Sequence, residues 1–177
     1  MNLVLLAGTT LGKSLDSQLA TITANHKQNF LLTGELIDQL QTNNAQAYDL
    51  LGTHVSAADA HLVGGMETEI RSPLMSTASL VGQLKSGRQK FETHFESQPT
   101  TFIRRTHGLN AHLPGILKSF GFDGVQHVAM DDGTVPAGSS PSILWQGSDS
   151  TEIGALTSAP INAAQATGFL GLSLIHI

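Results

Sequence analysis

Residues 98–130 read QPTTFIRRTHGLNAHLPGILKSFGFDGVQHVAM, and this stretch decides the fold. The apolar spacing predicts a strand over Thr100–Ile103, then a helix carrying Leu113, Ile116, Leu117 and Phe120, then a strand over Gly124–Met130. Asn110 is the candidate helix cap, Pro114 falls near the first turn, and Gly121 stands at the helix end. A strand, a crossover helix and a second strand in so short a span make a parallel pair, because a tight turn cannot join parallel neighbours.

The same alternation extends upstream. The helix predicted over Ser79–Glu96 carries Leu80, Leu84, Phe91 and Phe95 on one stripe, with Gly87 on the same face and Pro99 behind it as a stop. Before it come a strand over Ala60–Val63 and an irregular segment over Met66–Thr77. A strand over Asn29–Thr33 leads into a helix capped by Thr33 or Gly34, with Leu36, Ile37 and Leu40 apolar. Asn43-Asn44 breaks that helix, and a second helical stretch follows through Ala47, Leu50 and Leu51. Leu3–Ala7 reads as a first strand, and Ser14–Asn25 as a helix on Leu15, Leu19 and Ile22. Downstream, Asp131-Asp132-Gly133 opens a loop, Ile143–Gln146 is a sixth strand, and beyond Gly154 no element is assigned. The expected class is α/β, with parallel strands and crossover helices.

Composition narrows the function. The chain has 177 residues, 40% hydrophobic and 13% charged, which excludes a disordered chain. No apolar run approaches the roughly 20 residues that span a bilayer, so no membrane partner is expected. Nine Lys and Arg against 14 Asp and Glu give a net charge of −5, which disfavours nucleic acid as a partner. With no cysteine, disulfide scaffolds, zinc ribbons and thiol catalysis fall away, and a soluble cytoplasmic or periplasmic protein is expected. No Lys or Arg follows Lys118, the chain stops in an apolar run from Gly168, and Ser173–Ile177 reads like translated adapter text. The expectation is one domain over residues 1–168, a truncated piece of a larger fold, followed by a non-native or truncated tail over 169–177.

In parallel α/β folds the ligand lies beyond the carboxyl ends of the strands. Three polar clusters occupy such positions. Gly64-Gly65-Met66-Glu67-Thr68-Glu69 joins two flexible glycines to two carboxylates, although a plain turn with solvated acids explains it as simply. Arg104-Arg105-Thr106-His107-Gly108 offers forked donors for a carboxylate, phosphate or sugar hydroxyl, with Arg105 and His107 as candidates. Adjacent strand residues point to opposite faces, so at most one Arg enters any site. His127 with Asp131 and Asp132 suits acid–base or metal chemistry, while a core histidine and an Asp-Asp-Gly turn are the plainer reading. The sequence carries no GxGxxG, Walker loop, HExxH or GxSxG.

Four stretches, FLLTGELIDQL at 30–40, HLVGGMETE at 61–69, GQLKSGRQKFETHF at 82–95 and QPTTFIRRTHGLNAHLPGILKSFGFDGVQHVAMDDG at 98–133, carry a resemblance. In order and spacing over residues 30–147 they resemble the glycoside hydrolase family 38 N-terminal catalytic domain of α-mannosidase type, and more closely its divergent bacterial relatives. The resemblance implies a seven-stranded (β/α) barrel, here partial, a carbohydrate ligand, and a zinc ion holding vicinal hydroxyls of the sugar. Two departures bear on chemistry. Aligned on Gly108, Arg105 stands where the family has its nucleophilic Asp, and a guanidinium cannot attack an anomeric carbon. The family's His-x-Asp zinc pair has no counterpart in Leu3–Ala7, so no metal ligand is named and the cofactor stays unknown. An alternative carboxylate pair is Glu67 or Glu69 with Asp131 or Asp132, with Arg105, His107 and His127 contacting substrate. The expectation is a glycosidase-like protein, degenerate in catalysis if Arg105 has displaced the nucleophile. A non-catalytic sugar-binding barrel and an unrelated sugar-phosphate enzyme of the same fold class are the alternatives.

Overall fold

The computed structural model describes residues 3–5, 15, 19, 20, 22, 27–104, 110–128 and 142–158. Strands β1 (Leu3–Leu5), β2 (Gln28–Leu32) and β3 (Ala60–Gly64) form one parallel sheet in the order β1-β2-β3. Two helices connect β2 to β3, α1 (Gly34–Asn43) and α2 (Ala45–Ser56). Of the two cap candidates for the first helix, Thr33 is the one used, and the break expected at Asn43-Asn44 proves to be a cap as well. Thr33 Oγ1 accepts from Leu36 N–H at 3.2 Å, and Asn44 Oδ1 accepts from Ala47 N–H at 3.1 Å, so Asn44 ends one helix and starts the next.

A 3-10 turn (Ser72–Leu74) precedes α3 (Thr77–Phe95), which starts two residues earlier than the apolar spacing suggests. Its start is set by Ser76, whose Oγ accepts from Ser79 N–H at 3.1 Å. The second sheet holds β4 (Thr101–Arg104), β5 (Gly124–Val128), β6 (Ser142–Gln146) and β7 (Glu152–Ser158) in the order β4-β5-β7-β6. Helix α4 (Leu113–Ser119) connects β4 to β5. Asn110 does not cap it directly. Its Oδ1 accepts from His112 N–H at 2.9 Å, a short turn that delays the helix to Leu113. Gly121 sits at φ 79 just beyond, as a helix end requires.

Two features depart from an all-parallel sheet. β7 was not assigned from sequence, and β6 runs antiparallel to it. The hairpin between them is held by Gly147 N–H to Thr151 O at 2.8 Å and by Asp149 Oδ1 accepting from Thr151 N–H at 3.0 Å. A turn this short can join only antiparallel neighbours. Neither sheet closes on itself among the described residues, so the architecture is α/β with mainly parallel strands and not a demonstrated barrel.

Helix α3 covers both sheets. Its amino-terminal half places Leu80 and Leu84 in the core formed by Phe102, Val125, Ile153, Ala155 and α4. Its carboxyl-terminal half places Phe91 and Phe95 in the core formed by Phe30, Leu32, Leu62, α1 and α2, where Leu15, Leu19 and Ile22 are also buried. On the opposite side of the strands, Leu31, Val63 and Ile103 pack together and hold β3 beside β4. The far face of the second sheet is open, with Leu144 69% and Leu156 47% exposed. Residues 169–177 lie outside the described residues.

Candidate functional site

The loop leaving β3 is shaped by close packing. Gly64 and Gly65 adopt φ 118 and 113, a region that side chains disfavour. A Cβ on Gly65 would stand 2.7 Å from Phe122 Cζ. Beyond the turn, Met66 O and Glu67 O each accept an N–H from the first turn of α1, from Gly34 and Glu35, at 2.9 Å. Those amides would otherwise lack a helical partner. From α3, Gln83 O accepts Glu67 N–H at 3.0 Å, and Gln83 Oε1 accepts both Thr68 N–H and Thr68 Oγ1. The double glycine therefore has a packing reason as well as its place at a strand end.

Glu67 turns toward the helices. Its Oε1 lies 3.1 Å from Lys90 Nζ, and its Oε2 accepts from Ser86 Oγ at 3.0 Å. Lys90 also donates to Asp38, whose Oδ1 lies 3.4 Å from His94 Nε2, and Tyr48 Oη meets His94 Nδ1 at 3.0 Å. The hydrogen bond to Asp38, followed by that to Glu67, raises the Lys90 ammonium above the usual lysine range.

Glu69 is half-buried, and its charge acts on Arg104. Arg104, at the carboxyl end of β4, is 7% exposed. One of its terminal nitrogens donates to Ile70 O, while Nε and Nη1 have no partner among the described residues. Burial pulls its pKa below the usual arginine range, and the Glu69 charge opposes that shift. Across the β4–β5 register Arg104 pairs with His127, which pairs in turn with Thr157 of β7. Register partners project from the same face of a sheet, so Arg104 and His127 share one face. His127 is half-buried, its Nε2 has no partner among the described residues, and its ring meets Trp145 at 4.8 Å and 71°. Burial lowers the imidazole pKa below its ordinary value.

Of the two predicted carboxylates on this loop Glu67 turns to the helices and Glu69 is half-buried, while Arg104, outside the residues singled out from sequence, is buried at the end of β4. The sequence points to Arg105 of the adjacent pair, and the residues before it leave open which face each arginine takes. Phe102 and Ile103 are both apolar and both buried, so TTFIRR marks neither face as outer. Arg104 follows the face of Phe102, which packs under α3 and α4. Arg105, His107, Asp131 and Asp132 lie outside the described residues. Among the described residues no group of three or more His, Asp or Glu is placed to hold a metal. His127, the described imidazole at a carboxyl strand end, has a cation and a threonine as its register neighbours, which is not a zinc donor set.

Comparison with known proteins completes the site's context. The family model for the glycosyl hydrolases family 38 N-terminal domain matches residues 8–166. No curated protein matches the chain. An alpha-mannosidase from Enterococcus faecalis V583 is similar in structure, with a TM-score of 0.72 and 14% identity over 95% of this chain and 20% of that one. A protein in the glycosyl hydrolase family 38 from Enterococcus faecalis gives a TM-score of 0.66 and 14% identity, covering 98% of this chain and 21% of the other. A 4-alpha-glucanotransferase from Thermococcus litoralis gives 0.68 and 12% identity, covering 90% and 28%. These likenesses are of fold, and the chain spans about a fifth of the length of the first structure.

Proposed function

The chain belongs to the glycosyl hydrolases family 38 N-terminal domain, and from that premise we propose that it builds part of a carbohydrate site for cleaving O-glycosyl bonds. The observation that carries this reading is the place of the half-buried Glu69 on the loop leaving the carboxyl end of β3, where parallel α/β proteins bind ligands. Glycoside hydrolysis needs two carboxyl groups roughly 5–10 Å apart. In this proposal Glu69 supplies one, and Asp131 or Asp132, which follow β5 in the sequence, supplies the other. Glu67 is the weaker candidate because Lys90 and Ser86 already engage its carboxylate. Arg105, His107 and His127 contact substrate hydroxyls. Closure into a (β/α)7 barrel is part of the same proposal. The family implies zinc, but the donors among the described residues do not suit it.

A second reading, a sugar-binding module without catalysis, is favoured by one observation. By the resemblance, aligned on Gly108, Arg105 falls where the family has its nucleophilic Asp, and a guanidinium cannot serve as a nucleophile. One experiment separates the readings. Incubation of the protein with an aryl α-mannoside should release the aryl group, and Glu69→Gln should abolish release. Saturable mannoside binding without release favours the binding module. Neither binding nor release overturns both readings.

A further inference from the structure

We infer that Arg104 and His127 together form a subsite for a small oxyanion, the carboxylate of an acidic sugar or a free inorganic anion. Arg104 is 7% exposed, and two of its three guanidinium nitrogens have no acceptor among the described residues. Folded proteins rarely leave buried donors unmatched, because each such group loses its water without compensation. The Arg104 side chain has an established role in bonding Ile70 O, but that bond occupies one nitrogen and leaves Nε and Nη1 unmatched.

The surroundings define what would satisfy them. Phe102 and Val125, one step back along the same face of β4 and β5, are apolar core residues. His127 stands beside Arg104 in register and presents its own unmatched Nε2. Burial keeps that imidazole neutral near pH 7, so it donates one N–H without adding a second charge. Thr157 follows in register on β7. A guanidinium and an imidazole N–H on adjacent strands suit an acceptor with more than one oxygen, which is the geometry of a carboxylate or phosphate. Glu69 is the neighbouring carboxylate whose charge reaches Arg104, yet it leaves Nε and Nη1 without an acceptor. His127 itself is half-buried and so meets solvent directly.

Calorimetric titration of the chain with inorganic phosphate, and separately with glucuronate, tests the inference. The expected result is one saturable site for at least one of the two probes. Arg104→Gln should abolish it, and His127→Gln should weaken it about tenfold, the size of one charge-assisted hydrogen bond. Binding of glucuronate alone identifies an acidic sugar as the source of the oxyanion, and binding of phosphate alone identifies a free anion. Because His127 is half-exposed, His127→Gln keeps the test open if Arg104→Gln fails to fold. No saturable binding of either probe up to about 10 mM, or binding that His127→Gln leaves unchanged, overturns the inference. Phosphate binding needs no glycosidic bond, so this result is independent of the mannoside assay.

Discussion

Gly87 of α3 lies directly against the backbone of Met66, and a Cβ at Gly87 would come within 2.3 Å of the Met66 carbonyl carbon. Glu67 N and Gly65 O would each stand 2.5 Å away. These neighbours are backbone and cannot rotate aside. The contact sets the height at which α3 crosses the end of β3, and so fixes the loop that carries Glu67 and Glu69. Gly87→Ala is therefore expected to destabilise the fold by about 1–3 kcal/mol, although alanine is the better helix former. Urea unfolding checks it. An unchanged or raised midpoint would show that α3 shifts without cost.

Lys90 joins α1 to the β3 loop by pairing with both Asp38 and Glu67. The three side chains are 30%, 47% and 20% exposed, so water screens the pairs and each contributes modestly. Lys90→Met keeps the aliphatic stem, removes the charge, and should cost about 1 kcal/mol, less in high salt. The raised Lys90 pKa means that the folded chain holds this proton more tightly than the unfolded chain. The contribution is thus complete below the ordinary lysine value of 10.5 and fades as pH rises past it. Thermal melts at neutral and strongly alkaline pH should show the wild type and Lys90→Met converging in alkali.

The local elements were legible because their signals are local. The break at Asn44 follows from a capping side chain, and the buried stripe of α3, Leu80 to Phe95, from helical spacing. The β6–β7 hairpin was not, because Gly147–Thr151 carries loop residues, each flanking strand exposes a leucine, and the buried positions of β7 are Ile153 and Ala155. Leu144 and Leu156 face outward, which is the reverse of what hydrophobicity alone suggests. At the site, the position of Glu69 at a strand end was readable from HLVGGMETE. The capture of Glu67 by Lys90 was not, since the two meet only when α3 folds back over β3. The face that Arg104 takes was hidden for a related reason. Strand pleating alternates faces without saying which is inner, and only the packing of Phe102 under α3 and α4 says which face Arg104 takes.

His127 makes the fold sensitive to acid. Burial lowers its imidazole pKa, so the unfolded chain binds this proton more readily than the folded chain does. Above the ordinary histidine value of 6.5 both states are neutral and the group has no effect on stability. As pH falls below that value, the unfolded state gains the proton first, and stability is lost until the folded pKa is passed. The groups beside it sharpen the expectation. Arg104 is a register neighbour whose positive charge does nothing to favour an imidazolium, and the Trp145 ring packs against the imidazole instead of offering a carboxylate. His127→Gln keeps a polar group of similar reach and removes the titration. Denaturant midpoints measured from pH 7.5 down to pH 5 should fall more steeply for the wild type than for His127→Gln, with the two curves parallel above about pH 7. Equal slopes across that range would mean that His127 is protonated in the folded chain as easily as in the unfolded one, and its burial under Trp145 would then have no energetic consequence.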